Sequence, residues 1–344
     1  MRDLEKQKNL ELIFKTLKRD VDPVIKELLF LNVDPEFREL LEYQISTGGK
    51  RLRPALAIAG CLLLGGKLED VLYPAAGLEI LHNYSLIVDD IIDHSDIRRG
   101  KLTTWRKFGQ TIAQCVAIDY SGTVLQAASR SSQPKAVSEI FARTIKFLTE
   151  GEILDILFEQ SGREKDSYIT QHRYLEISEG DYLKMVSRKT ASLFQTCCEI
   201  GGICAQAEEK QIKALKNYGF NLGLAFQIRD DILDIFGEEE KFGKEIGKDI
   251  KENKGGNIVF IFALQGLGSQ GKERVLEAIK KKDNSRADVQ EVIKLIKGTK
   301  AHAKAYAMGE RFVQKARKNL ETLPQNQWND FLKEITDFVM EREK

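Results

Sequence analysis

Leu86-Ile87-Val88-Asp89-Asp90-Ile91-Ile92-Asp93 sets carboxylates at i, i+1 and i+4 of an apolar stretch. Phe226-Gln227-Ile228-Arg229-Asp230-Asp231-Ile232-Leu233-Asp234 repeats the pattern far along the chain. On a helix, residues four apart share a face, and like charges there repel. Carboxylates embedded among Ile, Val, Leu and Phe are tolerable only where cations compensate them. Two such motifs point to divalent metal and a polyanionic substrate.

The surrounding sequence is helical as well. Apolar residues recur at three- and four-residue spacing over residues 4–31, 55–64, 75–93, 136–158, 211–236 and 301–320. Pro23, Pro54, Pro74, Pro134 and Pro324 mark expected helix boundaries. The run Gly255-Gly256-Asn257-Ile258-Val259-Phe260-Ile261-Phe262 has the composition of a strand. Lacking a partner strand, it reads as the start of a buried helix. Loops are expected at 129–134, 162–166, 238–256, 266–271 and 280–285. If both acidic motifs serve one ligand, residues 1–344 form a single all-α domain around a shared cavity.

The bulk numbers exclude several classes. With 53 Lys and Arg against 52 Asp and Glu, the net charge is +1, so no global basic field supports nucleic-acid binding. Cys61, Cys115, Cys197, Cys198 and Cys204 form no CxxC pair, and the histidines are scattered, which argues against zinc. The charged start of the chain lacks an apolar core, so neither a signal nor a transit peptide is expected. The longest apolar run, residues 55–64, falls far short of the ~20 residues that span a bilayer. A cytoplasmic protein with reduced thiols is the expectation.

Anion binding must therefore come from local clusters. Gly48-Gly49-Lys50-Arg51-Leu52-Arg53-Pro54 combines glycines that let backbone N–H groups approach an anion with Lys and Arg charge. Arg98-Arg99-Gly100-Lys101 follows the first acidic motif by about one helical turn. Gly243-Lys244-Glu245-Ile246-Gly247-Lys248-Asp249-Ile250-Lys251-Glu252-Asn253-Lys254 follows the second. Taken singly, these read as a basic turn, a helix C-cap and a solvated loop. Lys189-Thr190 leads into an apolar helix, where Thr190 alone would be a cap. His82 lies two turns before Asp89 on the same face and by itself reads as a core histidine.

Together, in this order, GGKRLRP, DDIID, RRGK, KTASLF and FQIRDDILDIFG followed by GKEIGKDIKENK resemble the trans-isoprenyl diphosphate synthases, the farnesyl and geranylgeranyl diphosphate synthase family. The resemblance covers Gly48 through Lys254, with a family-like tail from Tyr306 to Arg342. It implies the isoprenoid synthase fold, a helical bundle around a deep apolar cavity, as a homodimer. It implies Asp89, Asp93 and Asp230 as the main Mg²⁺ ligands, supported by Asp90, Asp231 and Asp234. Three Mg²⁺ per site are implied, with Mn²⁺ as a substitute. Arg98, Lys189, Thr190, Gln227, Lys244 and Lys254 would hold an allylic diphosphate (dimethylallyl, geranyl or farnesyl). Lys50, Arg53, His82 and Arg99 would hold isopentenyl diphosphate. Metal and cations would neutralise the departing pyrophosphate so that the allylic C–O bond ionises. The double bond of isopentenyl diphosphate then attacks the cation, and proton loss, with pyrophosphate as base, completes the longer trans chain. Ile118-Asp119 replaces the family's frequent Gly-Asp, and Tyr120-Ser121-Gly122 is unusual there, but no diphosphate ligand is lost.

In related synthases the residue five before the first acidic motif helps set product length. Here it is Tyr84, followed by Ser85, with Leu81 one turn earlier. One aromatic followed by a small residue resembles enzymes that make geranylgeranyl diphosphate (C20). Farnesyl (C15) and longer products (C25 or more) are the alternatives. A terpene cyclase would lack the second Asp motif and the GGKRLRP segment. A catalytically inactive regulatory subunit would have lost one Asp cluster.

Overall fold

The computed structural model describes residues 2–238, 246–281 and 284–342, with side chains from residue 10 onward. The helices in chain order are α1 Arg2–Phe30, α2 Arg38–Ser46, α3 Leu52–Leu63, α4 Leu68–Ile92, α5 Thr104–Phe108, α6 Gln110–Ser129, α7 Pro134–Leu157, α8 Ser167–His172, α9 Glu179–Val186, α10 Ser192–Cys204 and α11 Glu209–Phe236. Further helices run Lys248–Lys251, Ile258–Gly266, Ser269–Lys280, Arg286–Lys297, Ala301–Leu320 and Gln327–Glu341. The protein is all-α, apart from one hairpin of two-residue strands, β1 Ile97–Arg98 and β2 Lys101–Leu102, among the described residues. The apolar run at Ile258 is a buried helix, as expected. No described helix is long and apolar enough to cross a membrane.

Two expectations fail at proline. Pro23 and Pro74 lie inside α1 and α4 rather than at their ends. Each removes one backbone hydrogen bond at a cost of about 3 kcal/mol. Both apolar faces nonetheless continue past the proline, through Val21, Ile25 and Leu28 in α1 and Val71, Ala75 and Leu78 in α4. Burying one such side chain gains roughly 1.5–3 kcal/mol, so two or three of them outweigh the break. The expected loop at 266–271 also shrinks, because Gly268 caps a helix that begins at Ser269.

The chain divides into two compact units of interleaved segments. The first contains Met1–Lys146, Leu193–Gly219 and Arg317–Ile335. In it, α3 is buried all round from Ala55 to Cys61, as a helix apolar on every side must be. A Cβ at Gly77 of α4 would lie 2.7 Å from Ala127 of α6, so these helices meet almost backbone to backbone. Tyr120, unusual in the sequence, is fully buried on α6 and donates its hydroxyl to the Leu41 carbonyl. The second unit contains Phe147–Ser192, Phe220–Ala316 and Thr336–Lys344. Its core includes Phe158, Tyr182, Ile228, Ile232 and the helix Ile258–Gly266.

Candidate active site

In the first unit, α4 ends at Ile92 and Asp93 caps it. His94 takes a positive φ of 51° and turns the chain into the β1–β2 hairpin. Arg98 is thus not on a helical turn, as the spacing suggested. Its partner across the hairpin is Lys101, and Arg99 and Gly100 form a two-residue turn with φ of 53° and 74°. Positive φ at both central residues matches the twist of a tight hairpin. The hairpin is tied back to α2, since Tyr43 donates to the Leu102 carbonyl at 2.7 Å and Lys101 to that of Ser46 at 3.1 Å.

This arrangement carries Arg98 onto the first acidic motif. Its Nε donates to Asp90 Oδ1 at 2.9 Å, and a terminal nitrogen donates to Asp89 Oδ2 at 3.0 Å. Burial opposes the guanidinium charge, but Asp90, Asp89 and Asp93 outweigh it and raise the pKa of Arg98. Asp90 is 1% exposed and consumed by this pair, whereas Asp89 and Asp93 are half-buried.

The basic loop before α3 separates its cations by role. Arg51, which has no role in the motif reading, is the buried one. It donates to Asp22 at 2.7 Å and to Glu79 at 3.1 Å, and so anchors the loop to α1 and α4. Gly49 leaves room for this, because a Cβ there would meet the guanidinium nitrogens of Arg51 and Arg99 at 3.0 and 3.1 Å. Lys50 is exposed, Arg53 lies over the Phe194 ring at 5.3 Å, and Arg99 donates to the Gly48 carbonyl. Burial first, then the fields of Arg53, Arg99, Arg98 and Arg51, push the His82 pKa well below its ordinary value. A neutral imidazole amid four arginines is an anion-attracting surface. Of the chain-length residues, Leu81 is buried, while Tyr84 and Ser85 are half-buried.

The second unit brings Lys189 and Lys254 together. Both donate to Asp155 Oδ2, at 2.6 and 2.8 Å, and Lys189 also pairs with Glu152 at 2.8 Å. Burial alone would raise the pKa of Asp155, but the two lysines outweigh it and hold the carboxyl well below its usual range. Lys254 is 9% exposed, so it does not sit in a solvated loop. Lys189 and Thr190 sit in a π-helical turn, Ser187–Ala191, that joins α9 to α10. Thr190 therefore caps nothing. Its hydroxyl donates to Gln227 at 2.9 Å, and Gln227 donates to Asp231 at 2.9 Å.

Sequence reasoning missed Glu152 and Asp155. Their only signal is two acids three apart on the apolar α7, a pattern that usually marks a solvated face. It also missed Asp249, half-buried beside the second motif and hydrogen-bonded by Asn257 at 2.7 Å. Asp231 accepts from the Ile258 backbone at 3.1 Å, and Asp234 accepts from the Lys248 and Asp249 backbones at 3.0 and 3.3 Å. Burial, followed by the charge of Asp249, raises the pKa of both. Asp230 is the more open member and is paired with Arg342 at 2.6 Å. Lys244 lies outside the described residues.

The donors suit Mg²⁺, a hard ion that takes oxygen ligands. Among the described residues no group of three or more acids, histidines or cysteines converges as a ready cage. Mg²⁺ is commonly held by one or two carboxylates, with the rest of its sphere supplied by substrate phosphate and water. Asp89, Asp93 and Asp230, the more accessible carboxylates, are the ones open to such a role.

The model of the polyprenyl synthetase family matches residues 34–296. The chain is 32% identical to a short chain isoprenyl diphosphate synthase of Methanocaldococcus jannaschii, over 88% of this chain and 89% of that one. It is 31% identical to a geranylgeranyl diphosphate synthase of Saccharolobus solfataricus, over 98% of this chain and 99% of that one. Its structure matches that of a polyprenyl synthase from Caulobacter crescentus complexed with calcium and isoprenyl diphosphate, with a TM-score of 0.87 and 29% identity, over 97% of this chain and 98% of that one. Matched along nearly its whole length, the chain belongs to the polyprenyl synthetase family and is a trans-prenyltransferase, in a family that joins isopentenyl and allylic diphosphates and depends on Mg²⁺.

Proposed function

We propose that this protein condenses isopentenyl diphosphate head to tail with an allylic diphosphate to give geranylgeranyl diphosphate. The carboxylates of both acidic motifs serve the allylic diphosphate, with Asp89, Asp93 and Asp230 as metal ligands. Three Mg²⁺, replaceable by Mn²⁺, supply neutralisation of the charge that grows on the departing pyrophosphate. Lys189 and Lys254, fixed on Asp155, add two cations that need no reorganisation as that charge develops. Thr190, Gln227, Arg98 and Lys244 complete the allylic set. Lys50, Arg53, Arg99 and neutral His82 take isopentenyl diphosphate. Residues 1–344 act as one catalytic domain.

The observation that carries this reading is the pairing of Lys189 and Lys254 on one buried carboxylate, in a chain with both acidic motifs complete. Complete motifs also disfavour an inactive regulatory subunit. The likeness to the Saccharolobus enzyme supports a C20 product over C15 or C25 and longer. A homodimer is supported by α6, whose exposed face carries Cys115, Ile118, Gly122 and Leu125, with Ile118 71% and Leu125 57% exposed. An unpartnered stripe of this kind suits a second copy. The four buried cysteines, none in a disulfide, suit a cytoplasmic location.

Labelled isopentenyl diphosphate, each allylic starter and Mg²⁺, followed by product chromatography, test the proposal. Chain elongation to C20 is expected. Elongation that survives Asp89→Ala combined with Asp230→Ala would overturn it.

A further inference from the structure

Arg342 lies beyond the residues matched by the family model, and its sequence context gives it no role. In the structure it is buried, 7% exposed, directly on the second acidic motif. Its guanidinium stacks over the Phe226 ring at 3.7 Å and donates to the Phe226 carbonyl at 2.8 Å. The same terminal nitrogen donates to Asp230 Oδ1 at 2.6 Å. Its own carbonyl accepts from Arg229 Nε and a terminal nitrogen, at 3.0 and 2.6 Å. Phe226, Arg229 and Asp230 stand at i, i+3 and i+4 on α11, so Arg342 is seated along one face of that helix.

We infer that Arg342 is a positioning residue that fixes the Asp230 carboxylate for metal binding. This rests on the proposed role of Asp230 as a metal ligand. A competing latch would have to leave when metal arrives. Arg342 is instead held by contacts independent of Asp230, namely a ring, a carbonyl and a pair of donors to its own backbone. The bond engages Oδ1, and among the described residues no hydrogen bond reaches Oδ2. A carboxylate held by one oxygen presents the other in a set direction, as hydrogen-bonded metal ligands do. The cation also offsets repulsion among the clustered acids of the motif.

The test measures Mn²⁺ binding to the full chain by calorimetry in the presence of inorganic pyrophosphate, alongside the Mg²⁺ dependence and both KM values. Arg342→Met keeps length and apolar contact with Phe226 but removes the donor. It is expected to weaken Mn²⁺ binding about 10–100-fold and raise the Mg²⁺ requirement in step, with the KM for isopentenyl diphosphate unchanged. Arg342→Lys retains one donor and is expected to recover part of the loss. Should the Met variant not fold, the Lys variant carries the test, with Mn²⁺ binding several-fold weaker than in the parent. Asp230→Asn is the reference. If it weakens Mn²⁺ binding while Arg342→Met and Arg342→Lys leave it unchanged or tighter, Arg342 does not position the ligand. If Asp230→Asn itself leaves Mn²⁺ binding intact, the role of Asp230 as ligand fails, and this inference fails with it.

Discussion

Asp155 and Lys254 are 99 residues apart in sequence and 2.8 Å apart in the structure. The carboxylate oxygen they share also accepts from Lys189 at 2.6 Å. One buried acid thus sets the position of two cations assigned to the allylic diphosphate. Removing one partner of a buried pair leaves the other charge uncompensated and costs about 3–5 kcal/mol. Asp155→Ala is expected to lose stability of that order in urea denaturation. Asp155→Asn, which keeps the shape, should raise the KM for the allylic substrate more than that for isopentenyl diphosphate. Equal changes in both would mean that the lysines do not hold the allylic group. The pH dependence has a definite sign. The carboxyl is depressed in the folded state, so its contribution is present above the unfolded carboxylate pKa and fades as pH falls.

Gly151 makes this contact possible. A Cβ there would lie 2.2 Å from the backbone nitrogen of Lys189 and 2.6 Å from its Cα. The obstruction is backbone, which cannot swing aside. Gly151→Ala is expected to push the π-helical turn off α7 and destabilise by about 1–3 kcal/mol, with a larger loss of kcat/KM for the allylic substrate than for isopentenyl diphosphate. Wild-type melting and kinetics in this variant would show that the close approach is dispensable.

His82 titrates below its ordinary value because of burial and then four arginines. The unfolded chain therefore binds a proton before the folded one does. Stability from this group is full above the unfolded histidine pKa, near 6.5, and declines as pH falls below it. His82→Gln should flatten the stability profile between about pH 6.5 and 5, as read from thermal melts. Bound diphosphate opposes the arginine field, so calorimetry in two buffers of different ionisation enthalpy should register proton uptake on binding. An unchanged profile in the variant would place the dependence on other groups.

Tyr84 and Ser85 are half-buried on α4, with Leu81 fully buried one turn earlier. If Tyr84 sets where the chain stops, Tyr84→Ala should yield products longer than C20. Product chromatography reads this directly, and an unaltered product would transfer the role to Leu81 or Ser85.

Local order was legible because its causes are local. A 3.6-residue period marks a helix from a few neighbouring side chains, so α7, α11 and Ala301–Leu320 could be placed within a few residues, whereas α4 begins at Leu68, seven residues before the expected start. The same logic identified Asp89–Asp93 and Asp230–Asp234 as carboxylates that need cations. What the sequence determined by itself was therefore the helical class and the chemistry of these two motifs. Tertiary structure alone decided which cation meets which acid. Arg98 reaches Asp90 through a hairpin, Lys189 reaches Asp155 across 34 residues, and Arg342 reaches Asp230 across 112. Such pairings depend on how helices pack and on close approaches such as that at Gly151, and no periodicity along the chain records them.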